Sequence, residues 1–475
     1  MESNARRLPA TPSRATRRDW IGLVVLVLPC VLYAMDLTVL DLALPAISAD
    51  LRPTSVELLW IVDIYGFLVA SSLITMGTLG DRVGHRRVLL AGATAFGIAS
   101  TVAAFATSPA MLIAARALLG VAGATFAPST LSLIRNMFDD ATERTTAISV
   151  WATSYSAGAA LGPSLGGLLL AHFWWGSVFL VGVPSMLLLL ALGPGVLPEF
   201  RDPRPGRIDV PSVALSLAAT LAIVYGLKQI AQDGIAPAPT LAMMIGASLA
   251  IAFVRRQSTL REPLIDLRLL RVPTLGASIA VYALGTFVAF GSFLYVTQYM
   301  QLVLGLGPLP AGLWTTPFAA AFLAGSIVSP LLARRTRPAY VMAGGFALAA
   351  VGFGLLTRLA TAPSLGLLVT GFVVYSLGLA PMFTLCNDLI VAAAPPQRAG
   401  AVSAVSETGS EFGGALGIAV FGSVGTAVYG NAIAAESLPR SLALVAAVCA
   451  LLVIVMAVIV TTSLRHVGMR QAASA

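Results

Sequence analysis

At 475 residues, 57% of them hydrophobic and only 11% charged, with mean hydropathy +0.89, the chain is too apolar for a water-soluble domain, which carries about 25% charged residues. The net charge of +8 and pI near 9.8 do not point to nucleic acid, because the basic residues fall in short gaps between apolar runs and act there as topology signals. The three cysteines (Cys30, Cys386, Cys449) are scattered within apolar segments and form neither a CxxC pair nor a disulfide framework.

Residues 1–19 form a basic tail, expected to be disordered and to stay attached to an uncleaved first span. Apolar runs then recur, each near the ~20 residues that cross a bilayer. The first, 20–48, contains Asp36 and Asp41; the second, 57–79, contains Asp63. Runs at 88–107 and 110–135 follow, the latter with Arg116 in mid-span. Runs at 146–171 and 176–196 complete a first set of six. Polar gaps at 197–208 and 255–272 bracket the pair 209–230 and 238–254, which holds the only lysine, Lys228. Six more runs follow at 273–303, 309–333, 339–358, 363–391, 398–429 and 440–463. A β-barrel would show short alternating segments instead, so the expectation is about fourteen transmembrane helices. The units are a tail (1–19), a six-helix bundle (20–196), an inserted pair with linkers (197–272), a second six-helix bundle (273–463) and a tail (464–475).

Arginines precede the first span (Arg6, Arg7, Arg14, Arg17, Arg18) and follow the second (Arg82, Arg86, Arg87) and fourth (Arg135, Arg144). They recur after the sixth (Arg201, Arg204, Arg207), eighth (Arg255, Arg256, Arg261, Arg268, Arg271) and tenth (Arg334, Arg335, Arg337). Arg398, Arg465 and Arg470 lie after the twelfth and last spans. Most of the positive charge thus lies on one side, which the positive-inside rule makes cytoplasmic for both termini.

Three motifs stand out. GTLGDRVGHRRVLL (77–90) places Asp81, Arg82, Gly84 and Arg86 in a tight turn between spans two and three. RALLGVAGA (116–124) starts at Arg116, whose mid-span charge needs a partner or a water-filled cavity. GAALGPSLGG (158–167) supplies Gly158, Gly162, Gly166 and Gly167 as a smooth helix face and Pro163 as a bend. On these motifs the chain resembles the major facilitator superfamily, in particular its fourteen-span drug:proton antiporters and their quaternary-ammonium exporters. LWIVDIY (59–65), HFWWGSVFLVGVP (172–184), PLIDLRLLR (263–271) and SETGSEFGGALGIAVFG (406–422) are similar to that subgroup. Two features depart from it. Asp41 stands where the first-span pattern has Asn, and the gap near 430–439 is too short for the extracellular hairpin that some members carry.

The resemblance implies an all-α membrane fold of two six-helix bundles with two inserted central helices, working by alternating access. It implies proton and substrate binding by Asp36, Glu407, Glu411 and Asp63. Glu407 and Glu411 share one helix face; Asp36 and Asp41, about 140° apart, diverge. Asp36 is expected to face the cavity and Asp41 to hold an inter-helix hydrogen bond; Asp388 matches no family position. Tyr33, Trp60, Tyr65, Trp151, Tyr155, Trp314 and Phe412 are candidate cavity aromatics for cation–π contacts, against lipid or core packing. Asp81, Arg82, Gly84, Arg86, Arg116 and the Gly158–Gly162–Pro163–Gly166–Gly167 face are expected to serve gating. The partners implied are protons, lipophilic cationic small molecules and membrane lipids, with no nucleic acid, and a monomeric chain in the cytoplasmic membrane. The chain has no GxxxxGK[ST] and no HExxH, and His85, His172 and His466 are far apart in sequence, so no cofactor, catalytic metal or enzyme activity is expected. The expected function is proton-coupled efflux of amphipathic organic cations. Alternatives are a dedicated exporter of an endogenous antibiotic or other metabolite, a non-transporting sensor or scaffold, and a membrane-embedded enzyme.

Overall fold

The computed structural model describes residues 14–199, 209–260, 263, 272–393, 399–429 and 436–466. Arg6, Arg7, Arg201, Arg204, Arg207, Arg261, Arg268, Arg271, Arg398 and Arg470, and most of the 263–271 motif, lie outside the described residues. The first half comprises α1 (Arg17–Leu51), α2 (Ser55–Val83), α3 (His85–Ala104), α4 (Pro109–Gly123), α5 (Phe126–Met137), α6 (Ala141–His172), α7 (Ser177–Leu180) and α8 (Gly182–Val196). The inserted pair is α9 (Val210–Asp233) and α10 (Pro237–Thr259). The second half comprises α11 (Pro273–Gln298), α12 (Pro308–Leu313), α13 (Thr316–Ala333), α14 (Pro338–Leu356), α15 (Leu365–Ala393), α16 (Ala399–Tyr429) and α17 (Leu438–Ser463). Three expected spans are each built from two helical pieces: α4 with α5, α7 with α8, and α12 with α13.

Twelve helical rods among the described residues are long and apolar enough to cross a membrane. Two more, α6 with 32 residues and α16 with 31, have the length but a more polar composition. In lipid every backbone group must be satisfied within the helix, so the ends are where side chains intervene. Capping boxes start α1 (Thr16 with Asp19) and α2 (Thr54 with Glu57), and Ser108 and Asp140 cap α4 and α6. At one end of the inserted pair, Arg256 Nη2 donates to Asp209 Oδ1 at 2.8 Å. That bond holds the Asp209 carboxyl below the ordinary carboxylate range.

Two apolar cores correspond to the two halves. One gathers residues from Leu23 to Leu197 together with Leu294; the other gathers residues from Val281 to Leu464 together with Leu42. The tightest helix pairs repeat between them: α1 against α6, and α11 against α16. Glycine makes both possible. A Cβ at Gly158 would overlap the Val31 carbonyl, one at Gly162 the Thr38 hydroxyl and Met35 carbonyl, and one at Gly166 the Val39 side chain. In the second half, Gly413 abuts the Ala283 carbonyl and Gly417 that of Phe287. Small residues four apart let the backbones touch, where dispersion rather than the hydrophobic effect drives association.

The halves also meet each other. Gly167 lies against the Pro308 carbonyl, Gly312 against that of Pro163, Leu59 against Gly422, and Gly66 against Ala415. Gln298 Nε2 donates to the Asp41 carbonyl at 2.5 Å. Most of these contacts lie towards the end where α1 turns into α2, away from the described termini. α9 packs on both α2 and α16, at the seam between the halves.

Replacing Gly158 by Leu forces α6 off α1 and is expected to destabilise the protein by about 1–3 kcal/mol, read as a lowered Tm in detergent. Gly344→Ala, where an added Cβ meets nothing within 4 Å, is expected to leave Tm in place.

Candidate functional site: a charged cavity between the halves

Arg116 is the electrostatic centre of the first half. It is 2% exposed, and its guanidinium is used in three directions. Nη1 donates to Asp36 Oδ2 at 2.6 Å, Nε to the Ile61 carbonyl at 3.1 Å, and Nη2 to the Val62 carbonyl at 3.2 Å. The Tyr65 ring lies 4.7 Å from the guanidinium carbon. The R-x-x-x-G spacing has a local reason. Gly120, one turn after Arg116, lets α4 approach α2 so closely that a Cβ would strike the Tyr65 carbonyl. That approach brings the guanidinium onto the two α2 carbonyls. The fork geometry suits arginine, and lysine cannot reproduce it.

A second buried pair joins the inserted helices to the first half. Lys228 Nζ on α9 donates to Asp63 Oδ1 on α2 at 2.7 Å, both side chains being fully shielded from solvent. The ammonium also sits over the Trp60 ring, 4.0 Å from its centroid. Asp63 Oδ2 is buried without a hydrogen-bond donor. Lys228 is a residue of this region that sequence patterns miss, because an isolated lysine has no motif around it. The pairing connects positions 165 residues apart, which no local pattern reveals.

Between the halves lies a cavity of about 40 Å³, lined among others by Asp41, Asp63, Arg116, Phe290, Ser410 and Glu411. That is room for about three waters. Glu411 accepts a hydrogen bond from the Tyr33 hydroxyl at 2.5 Å, which links α16 to α1 across the two halves. Asp36 stands behind this cavity on Arg116, while Asp41, expected to serve packing, contributes to its lining and accepts Gln298 only through its backbone carbonyl. Glu407 lies one turn from Glu411 on α16 and outside that lining. Among the described residues, Asp41, Glu407 and Glu411 form no ion pair, whereas Asp36 and Asp63 each have a resident cation. Asp388, on α15, is partly buried away from this lining.

The candidate aromatics separate into groups. Tyr33 packs on Tyr65 and Tyr155 with centroids 6.0 and 5.7 Å apart, and Trp151 on Tyr155 at 5.0 Å. These four line up beside Glu411 through the Tyr33 bond. Trp60 is engaged by Lys228, Phe412 packs on Phe67 at 6.1 Å, and Trp314 is 40% exposed.

The turn motif acts within the first half. Gly84 has φ 112°, which favours glycine, and joins α2 to α3. Asp81 Oδ1 lies 2.9 Å from Nε2 of the buried His85. Arg86 donates to Glu199 Oε2 at 3.3 Å and to the Leu197 carbonyl at 2.9 Å, fastening α3 to the end of α8. Of the glycine motif, Gly158, Gly162 and Gly166 face α1, and Gly167 and Pro163 face α12 of the other half.

Removing Arg116 leaves Asp36 and two carbonyls uncompensated. Arg116→Ala is expected to destabilise by about 3–5 kcal/mol, and Arg116→Lys to recover only part of it. In a double-mutant cycle read by Tm, Asp36→Asn in the Arg116→Ala background is expected to cost less than in the native one.

The Major Facilitator Superfamily model matches residues 27–418. The chain is 45% identical to the multidrug efflux pump LfrA of Mycolicibacterium smegmatis over 89% of this chain and 84% of that protein. It is 37% identical to the methyl viologen resistance protein SmvA of Salmonella typhimurium (85% and 82%), and 34% to the tetracenomycin C resistance and export protein of Streptomyces glaucescens (87% and 77%). A peptide transporter POT structure in complex with sulfate superposes with a TM-score of 0.68 over 95% of each chain at 17% identity, a likeness of fold. The chain is therefore a multi-pass membrane transporter that belongs to the Major Facilitator Superfamily.

Proposed function

We propose that this protein is a proton-coupled efflux antiporter for amphipathic organic cations, a monomer in the cytoplasmic membrane with both termini inside. The observation that carries the reading is the charge balance around the central cavity. Asp41, Asp63 and Glu411 line it together with Arg116; Asp36 is paired with Arg116 behind it, Asp63 is paired with Lys228, and Glu407 stands one turn from Glu411. An ionised carboxylate shielded from water needs a proton or a cation. Among the described residues Glu411, Glu407 and Asp41 make no ion pair, so a proton and a lipophilic cation compete for them. Cargo arriving from the cytoplasm displaces a proton, and protons arriving from outside displace the cargo. The Tyr33–Tyr65–Tyr155–Trp151 cluster offers ring faces beside Glu411 for the cation's apolar groups.

The contacts between the halves support a rocking mechanism. They lie towards the end away from the termini, so the cavity in this conformation is sealed on that side. The seal is made largely of glycine, proline and alanine contacts, which separate without breaking buried ion pairs. Efflux of organic cations is also in keeping with the relatives named a multidrug efflux pump and a methyl viologen resistance protein. A dedicated exporter of an endogenous antibiotic is the second reading, favoured by the relative named for tetracenomycin C.

The test is purified protein in liposomes with a pH-sensitive dye inside. Ethidium or a quaternary ammonium compound is expected to trigger proton movement, and Glu411→Gln to reduce that flux at least about tenfold, as loss of a required group in each cycle implies. Folded native protein giving no flux with any cation sinks the reading and leaves the product exporter.

A further inference from the structure

The pairing of Lys228 with Asp63 and Trp60 has the make-up of an occupied cation site. Trp60 and Asp63 are three residues apart on α2 and so share a face. One supplies a ring face and the other a carboxylate, the two groups that recognise organic ammonium ions. The present occupant is an ammonium group, 2.7 Å from the carboxylate and 4.0 Å from the ring centroid. Asp63 is also among the residues that line the central cavity, so the site adjoins the space between the halves. Its Oδ2 is buried and has no donor, which leaves half of the carboxylate unused by the lysine.

The lysine belongs to neither half. It is carried by α9 of the inserted pair, which packs against α2 and α16. Val224, one turn before Lys228, clusters with Phe67 of α2 and with Ala415 and Ala419 of α16, with Trp60 packed against them. Any movement of α2 relative to α16 therefore moves the ground on which Lys228 stands.

We infer that Asp63 and Trp60 form a site for lipophilic organic cations on the cavity wall, and that Lys228 is its tethered resident, displaced when an exogenous cation binds. The inference deepens the proposed cation export and rests on it. It explains what the inserted pair does, since α9 keeps the carboxylate neutralised while no cargo is present. Without that resident, Asp63 would stand as an uncompensated buried charge. Cargo then exchanges with a built-in ammonium at this site, and with protons at Glu411.

Because Lys228 is the only lysine in the chain, the native protein reports on its own displacement. Full-length protein in detergent is treated with limiting acetic anhydride, with and without saturating tetraphenylphosphonium, and acetylation of Lys228 is read by mass spectrometry. The N-terminal amine serves as the internal standard. Slow acetylation that tetraphenylphosphonium accelerates severalfold is expected. Acetylation unchanged or slowed by the cation overturns the inference and assigns the pair a purely structural role.

A second arm measures tetraphenylphosphonium binding. Lys228→Met is expected to bind at least about tenfold more tightly than the native protein, because a site mostly held by its resident shows an affinity reduced by the fraction that is free. Adding Trp60→Leu or Asp63→Asn to Lys228→Met is expected to abolish the gain. Should Lys228→Met fail to fold, the labelling arm decides alone. Native protein that binds the cation while Lys228→Met, folded, shows no gain overturns the inference and leaves the export reading standing. Native protein that neither binds the cation nor moves protons overturns the export reading; a gain in Lys228→Met would then still support the resident lysine, and no binding by either protein would overturn it as well.

Discussion

Burying an ionised group away from water costs several kcal/mol even after the surroundings relax, and this cost organises the interior of the bundle. Arg116 is the clearest response to it. Its guanidinium is spread over the Asp36 carboxylate and the Ile61 and Val62 carbonyls, so one side chain ties α1, α2 and α4 at a single point. Lys228 does the same between α9 and α2. Two cations cannot match five acids, and the excess falls on Asp41 and Glu411 in the cavity lining and on Glu407 one turn away. An excess that a structural designer would remove is what an exchanger of protons and cations requires.

The second constraint is close backbone approach. Glycines four apart on α6 and α16 press those helices onto α1 and α11, and the same arrangement appears in both halves. Each half is thereby a tightly packed unit. Between the halves the contacts run along α2 and α16 and along α6 and α12: Pro163 and Gly167 with Pro308 and Gly312, Leu59 with Gly422, Gly66 with Ala415, and polar bonds made by Gln298, Tyr33 and Ser164. The inserted pair sits along that seam, where α9 touches both α2 and α16.

Much of this was legible in the residues. Apolar length announced the spans, and α1 and α2 extend a few residues beyond theirs because their caps, Thr16 and Thr54, lie outside the apolar stretch. The polar content of α6 and α16 did not hide them, since each still reads as an apolar run of spanning length, 146–171 and 398–429. The breaks after Gly123, Leu180 and Leu313 were not legible, because apolar composition is indifferent to a local interruption of a helix. The site was legible in part. Helical geometry separates Asp36 from Asp41, yet it does not say which of them meets Arg116, since that depends on how deeply Gly120 lets α4 approach α2. The Lys228–Asp63 pair had no signal at all: it joins two helices far apart in sequence, and only packing brings them together.

The central claim is that protons and organic cations compete for the same unpaired carboxylates. The most direct measurement is proton release on binding. Purified protein in weakly buffered detergent solution is titrated with tetraphenylphosphonium while the pH is followed. The account predicts that binding expels protons, and that Glu411→Gln binds with measurably fewer released. Binding with no proton release in the native protein, at any pH where the protein is folded, would contradict it.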